Sequence, residues 1–196
     1  DIETQVPTFY TVTTASKHDS TAMRSIPYEP NAYYIFDRAY DSFKELYKIH
    51  LTDSFYVVRA KTNLKCKTVK WKRRMPKNVL TYAEVKLTGY LSEKKYPESF
   101  RLIRYYDEED DRELVFLTNA KHLSALDVAN LYKKRWLIEL FFKWLKQHLK
   151  IKRFWGTTEN AVRIQISVAI ITYCLVAIVQ HDMQLKRSTY EVLQIL

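Results

Sequence analysis

Glycine is nearly missing from this chain, with Gly89 and Gly156 the only two in 196 residues. Without a glycine-rich loop no stretch can cradle nucleotide phosphates on its backbone N–H groups, which excludes P-loop, kinase and dinucleotide-binding readings. Cysteine is equally scarce. Cys66 lies in a lysine-rich stretch and Cys174 in an apolar run; they lack zinc-ligand spacing and make no disulfide framework, so a reducing, cytoplasmic setting is expected. Long apolar runs are absent as well. The longest, Ile166 to Val179 (ISVAIITYCLVAIV), has about 14 residues against the about 20 that cross a bilayer, and it reads as a buried helix with no membrane partner. The opening DIETQVPTFY has neither the basic start nor the apolar core of a signal peptide. It also opens without Met, and a fragment of a longer protein is expected. No internal repeat or low-complexity linker is visible.

Positive charge is what the chain has in excess. Lys plus Arg number 32 against 22 Asp plus Glu, giving +10 and a pI near 9.4, a balance that suits a polyanionic partner such as nucleic acid. The 47% hydrophobic content is enough for a globular core.

Val6 to Ala15 (VPTFYTVTTA) is β-branched and aromatic and reads as a strand. A short helix is expected over Asp19 to Ile26, then a turn from Pro27 to Pro30. Ala32 to Asp37 (AYYIFD) reads as a strand apolar on both faces and therefore central to a sheet. Asp41 to His50 follows as an amphipathic helix, capped by Asp41 or Ser42, with Phe43, Leu46 and Tyr47 on one face. Ser54 to Ala60 is the next strand, which makes residues 32–60 a parallel βαβ unit.

From Lys61 to about Lys121 the pattern changes to short alternating segments (KCKTVKWK, LTYAEVKLTGYL, SFRLIRYY, RELVFLTN), read as antiparallel strands. The acidic run Asp107 to Asp111 (DEEDD) between two of them reads as a solvated hairpin loop rather than a metal site. Helices dominate the rest. Ser124 is the expected cap of one through about Lys150, Thr157 or Thr158 of one through about His181, and Ser188 with Glu191 gives a capping box for a last one.

On a helical wheel with Leu131 at zero, Ile138, Phe142, Leu145 and Leu149 fall within about 40° of it and form the expected core stripe. Arg135, Lys146, Glu139 and Tyr132 fall at about 40°, 60°, 80° and 100°, a second stripe beside the first. Two readings fit that stripe: an i, i+4 Arg135–Glu139 pair on a basic solvated surface, or a carboxylate for a metal flanked by cations for a phosphate backbone. Asp37 ends the strand YYIF, where α/β sheets put functional groups; an Asp there also serves as a turn or helix-capping residue. Paired with Glu139 it is a candidate metal ligand.

These residues resemble the bacterial DDE transposases of the insertion-sequence-four type, whose signature is Tyr, two residues, Arg, three residues, Glu, six residues, Lys. Tyr132, Arg135, Glu139 and Lys146 meet that spacing, and Asp37, Arg38, Ala39 and Tyr40 match the family's Asp-Arg-Ala-Tyr motif after a strand. His18 and Asp19 after the Thr-rich strand also look like the family, with no role assigned. The resemblance implies a ribonuclease-H-like α/β core, with residues 1–60 its first part, 61–121 a β-rich insertion and 122–196 its helical remainder. It implies metal-dependent DNA cleavage and strand transfer at transposon ends with two Mg²⁺ (Mn²⁺ substituting), Asp37 and Glu139 being catalytic ligands. Tyr132, Arg135 and Lys146 would contact DNA phosphates, and Trp71, among Lys70, Lys72, Arg73 and Arg74, would stack on a flipped base. A Trp in a basic hairpin also packs against its own sheet. The resemblance also implies double-stranded DNA as the partner, bound by a homodimer in a bacterial cytoplasm at the nucleoid. The chain departs from the family in one respect: the first catalytic Asp lies upstream of the Thr-rich strand, and residues 1–5 leave no room for it. The chain alone is therefore expected to bind DNA without turnover. The competing readings are a noncatalytic DNA-binding remnant and a related metal-dependent nuclease.

Overall fold

The computed structural model describes every residue except 5, 14–21, 41, 62, 150–152, 187–190, 193, 194 and 196. The chain forms two compact units, Thr13–Arg135 and the pairing of Asp1–Val12 with Trp136–Leu196.

In the first unit, β1 (Tyr33–Phe36), α1 (Phe43–Leu51) and β2 (Phe55–Arg59) make the expected parallel crossover, with Tyr33 opposite Phe55 and Phe36 opposite Val58. Ser42 stands at the N-cap of α1; the alternative cap, Asp41, lies outside the described residues. The strands β3 (Cys66–Trp71), β4 (Val79–Leu87), β5 (Phe100–Asp107) and β6 (Arg112–Thr118) form an antiparallel meander, with the short helix α2 (Tyr90–Lys95) between β4 and β5. β6 then pairs antiparallel with β2, so all six strands share one sheet in the order β1-β2-β6-β5-β4-β3.

Strand alternation sends Val57 and Val58 to opposite faces. Val58 joins Phe36, Leu46 and Ile49 with Ala83, Val85 and Phe100 on the α1 side. Val57 joins Ile103, Phe116, Val128, Ala129 and Tyr132 under helix α3 (Ala125–Lys133). Strands from 61–121 thus share both cores with β1 and β2. α3 begins at Ser124 as expected, through a capping box: the Ser124 hydroxyl accepts the Asp127 N–H and the Asp127 carboxylate accepts the Ser124 N–H, both at 3.1 Å.

Several elements differ from the sequence expectation. β1 is an edge strand among the described residues, not a central one. Its apolar character reflects packing above and below the sheet, such as the Tyr33 ring 5.1 Å from that of Phe55, and carries no information about lateral neighbours. Residues 6–13 form no strand, because β-propensity makes a strand only where a ladder partner exists; Tyr10 instead donates its hydroxyl to Ser167 at 2.8 Å. Of the short helix expected over Asp19 to Ile26, residues 19–21 lie outside the described residues; Ala22 is helical and leads into a 3₁₀ turn, Met23–Ser25, pinned by the fully buried Met23.

The long helix expected from Ser124 breaks. α3 ends at Lys133, Lys134 and Arg135 form a turn, and α4 (Trp136–His148) starts afresh. In that turn the Lys134 N–H donates to Leu131 and the Arg135 N–H to Tyr132, i to i−3 bonds that tighten the chain out of α-helical register.

In the second unit, α4 packs on α5 (Glu159–Asp182), whose cap Thr158 accepts the Ala161 N–H at 3.2 Å. Gly156 precedes it where a Cβ would stand 2.5 Å from the Ala161 Cβ, so no side chain fits. The α4 face that packs carries Phe141, Trp144 and Leu145, with Leu149 just past its end, against Ala169, Ile170 and Tyr173. Tyr173 meets the edges of Phe141 and Trp144 at 4.8 and 5.0 Å. Of the expected stripe, Leu145 and Leu149 belong to this face, whereas Ile138 and Phe142 are about half exposed. The aromatic pair around Tyr173 sets the rotation of the helix. α5 is not buried as expected: Ile164, Val168, Ile171, Leu175 and Ile178 form an exposed apolar stripe. Its 24 residues are long and apolar enough, by length and composition, to cross a membrane, which the shorter run read from sequence is not. Ser188 lies outside the described residues.

Candidate functional site

The parallel strands β1 and β2 end together at Asp37 and Arg59, the end at which open α/β sheets carry their sites. Asp37 Oδ1 accepts two hydrogen bonds, from the Arg38 N–H at 2.7 Å and from the Tyr132 hydroxyl at 3.1 Å. Tyr132 comes from the last turn of α3. Its ring is buried on Phe116, centroids 4.8 Å apart, and the Arg135 guanidinium lies 5.7 Å from the centre of that ring. Burial alone would raise the Asp37 pKa. The Arg38 N–H, the Tyr132 hydroxyl and the charges of Arg135 and Arg59 outweigh it and hold the carboxyl below its ordinary value. Burial and the Asp37 charge push the Tyr132 phenol up, so it stays a neutral donor.

Thus Asp37, Tyr132 and Arg135, singled out separately in the sequence, are gathered in one unit. Arg59 was not singled out. The signal that finds it is its place at the end of the strand parallel to the one carrying Asp37. Beside it a cavity of about 310 Å³ is lined by Leu46, Val58, Leu87 and Leu117, with Arg59 and Lys61 also on its wall.

Glu139 and Lys146 lie in the helical unit, on α4. With Phe142, Lys143 and Gln147 they surround a shallow hollow, so carboxylate and ammonium groups share one face of that helix. The turn at Lys134 and Arg135 breaks the wheel on which all four motif residues were aligned, and Tyr132 and Glu139 do not lie on one continuous helix. Trp71 does not pack against its own sheet: it stands 72% exposed on the edge strand β3, beside exposed Lys70. The DEEDD run is a turn between β5 and β6 tied by ion pairs, Lys133 to Asp107 and Glu109 and Arg112 to Asp110. His18 and Asp19 lie outside the described residues.

A divalent cation needs hard oxygen ligands. Asp37 fits that requirement as an ionised carboxylate with one oxygen already oriented. No group of three His, Cys, Asp or Glu side chains gathers among the described residues, so Asp37 fits as one ligand of a set rather than as a complete site.

The chain matches the family model described as a transposase DDE domain over residues 1–175. It is 34% identical over 199 aligned residues to a transposase, y4zB, of Sinorhizobium fredii, covering 99% of this chain and 54% of that one. It is 30% identical over 176 residues to a transposase of insertion sequence element IS5377 from Geobacillus stearothermophilus, covering 88% and 46%. A transposase of insertion sequence element IS4SA from Synechocystis is 31% identical over 149 residues, covering 74% and 40%. The chain thus spans about half the length of the curated relatives it matches.

Proposed function

Since the chain belongs to the family of transposase DDE domains, we propose that it is a catalytic-domain segment of the insertion-sequence-four type, serving metal-dependent DNA cleavage and strand transfer at transposon ends. The observation that carries this reading is the Asp37 carboxylate, kept ionised at the end of the parallel strands by Tyr132 and Arg135 of the same motif. Asp37 and Glu139 would hold the Mg²⁺ or Mn²⁺ ions. Bound there, the two ions supply an activated water or 3′-hydroxyl and stabilise the leaving oxygen of the scissile phosphate.

The chain's own residues do the positioning. Arg135 offers a guanidinium fork and Lys146 an ammonium to the phosphates of the transposon end. Trp71, exposed among cations on an edge strand, offers a stacking face to an unpaired base. Tyr132, of the same motif, would add its hydroxyl to these phosphate contacts, leaving Asp37, to which it donates without DNA. The setting is a bacterial cytoplasm, with a homodimer assembled on the paired ends, and the strands of 61–121 serve as the β-rich insertion of a ribonuclease-H-like fold. A second reading, a noncatalytic DNA-binding module, is favoured by the lack of a three-ligand cluster among the described residues.

Nicking of transposon-end DNA by a full-length protein carrying this chain, in Mg²⁺, separates the two. Cleavage that disappears in both Asp37→Ala and Glu139→Ala supports the transposase site. Cleavage retained in both variants sinks the assignment, and end binding without cleavage by the unaltered protein favours the second reading.

A further inference from the structure

Five of the chain's 22 acidic residues stand in a row, Asp107 to Asp111, in a protein of net charge +10. The turn between β5 and β6 needs one of them. Asp111 takes the left-handed conformation, φ 46°, that Asp tolerates better than most side chains, and it accepts the Tyr106 hydroxyl. Asp110 pairs with Arg112 of the same hairpin. Glu108 and Glu109 reach further. Glu108 Oε1 lies 3.1 Å from Lys77 Nζ, and Glu109 Oε2 accepts a hydrogen bond from Lys133 Nζ at 3.0 Å.

Those two lysines come from the two segments of this unit whose cations are proposed for DNA. Lys77 follows Lys70, Lys72, Arg73 and Arg74, and Lys133 ends α3 between Tyr132 and Arg135. A carboxylate on an ammonium makes the charge-assisted contact that a DNA phosphate makes. Asp107 Oδ1 also stands 3.5 Å from the Lys133 ammonium, but that carboxylate is buried and held in the ladder opposite Arg112. The Glu109 side chain is 82% exposed and can swing away. An exposed pair of this kind is weakly held and screened by salt, so a phosphate can take its place. We propose that the acidic turn is an autoinhibitory contact: Glu109 occupies Lys133 while DNA is absent, and a phosphate of bound DNA displaces it. Each binding event must first break that ion pair, which lowers affinity for DNA of any sequence.

The proposal rests on the reading of DNA as the partner, and the test keeps the two apart. Binding of the 196-residue chain to a plain DNA duplex is measured at about 50 mM salt for the unaltered protein, Glu109→Gln, Lys133→Gln and the double variant, with melting temperatures to verify each fold. Expected is binding tightened by about two- to fivefold in Glu109→Gln, the range an exposed ion pair is worth, and no gain from the same change when Lys133 is already Gln. Binding by Glu109→Gln where the unaltered chain shows none supports the proposal equally. A gain that persists in the Lys133→Gln background reflects only one negative charge fewer beside a polyanion, and overturns it. Unchanged or weaker binding in Glu109→Gln overturns it while DNA stands as the partner. No binding by any of the four proteins overturns both.

Discussion

Glu84 on β4 accepts a hydrogen bond from the Ser99 hydroxyl and another from Lys121 Nζ at 2.9 Å. Those bonds, Ser99 first, hold its carboxyl below the ordinary glutamate value. A folded-state value lower than the unfolded one means that ionised Glu84 adds stability above the unfolded pKa of about 4.3, lost as pH falls through the lower folded value. Urea titrations of the unaltered chain and Glu84→Gln should therefore differ at pH 7 and converge in acid; a gap that persists at low pH assigns the effect to packing instead. At this scale the sequence was partly legible. Asp37 was found because strand ends in α/β sheets are special places. Asn119 was not. Its side chain accepts the Tyr56 N–H and donates to the Ser54 carbonyl, at 2.9 and 2.8 Å, prolonging the β2–β6 ladder by one amide. Arg101 was equally hidden: buried on Tyr82, 4.4 Å from its ring centroid, it donates to the Ala120 and Leu123 carbonyls and braces the turn before α3. Both depend on partners distant along the chain, which no local pattern encodes.

Among the elements, α3 is the one on which the candidate site hangs, since it delivers Tyr132 to the end of β1. Its N-cap was readable at Ser124, though the capping box with Asp127 was not, and removing it should be felt. Ser124→Ala is expected to cost about 1 kcal/mol in urea unfolding; a change below about 0.3 kcal/mol would show that packing of Val128 and Ala129 alone holds the helix. The end of α3 was unreadable. Lys133, Lys134, Arg135 and Trp136 contain neither Gly nor Pro, and the tightened turn there is made by backbone bonds open to any residue. Reading a single helix through that turn is what rotated the expected core stripe onto Ile138 and Phe142. The parallel unit β1-α1-β2 was legible for the opposite reason: apolar strands, a 3.6-residue helical period and short connections all agree.

On the scale of the molecule, the excess of cations sets how it meets a polyanion. DNA binding by the chain should weaken linearly on a logarithmic salt scale, and Arg135→Ala should reduce the slope by about 0.9, one phosphate contact; an unchanged slope returns Arg135 to a structural role. Trp71→Ala should instead cost about 1–3 kcal/mol toward ends with an unpaired base while sparing fully paired DNA, which competition between the two DNAs would measure. The single sheet was not legible in advance, because pairing between β2 and β6 spans all of the strands between them.

That long-range pairing has a kinetic side. The hairpins β4–β5 and β5–β6 join neighbours in sequence, whereas aligning Val58 with Leu117 closes a loop containing the whole meander. Local pairings form early and distant ones wait on loop closure, so the meander is the natural nucleus onto which the crossover docks. Asp37 gains the Tyr132 hydrogen bond, 95 positions away, only with that late docking, so the acidic group on which the proposed chemistry depends is expected to be oriented late in folding.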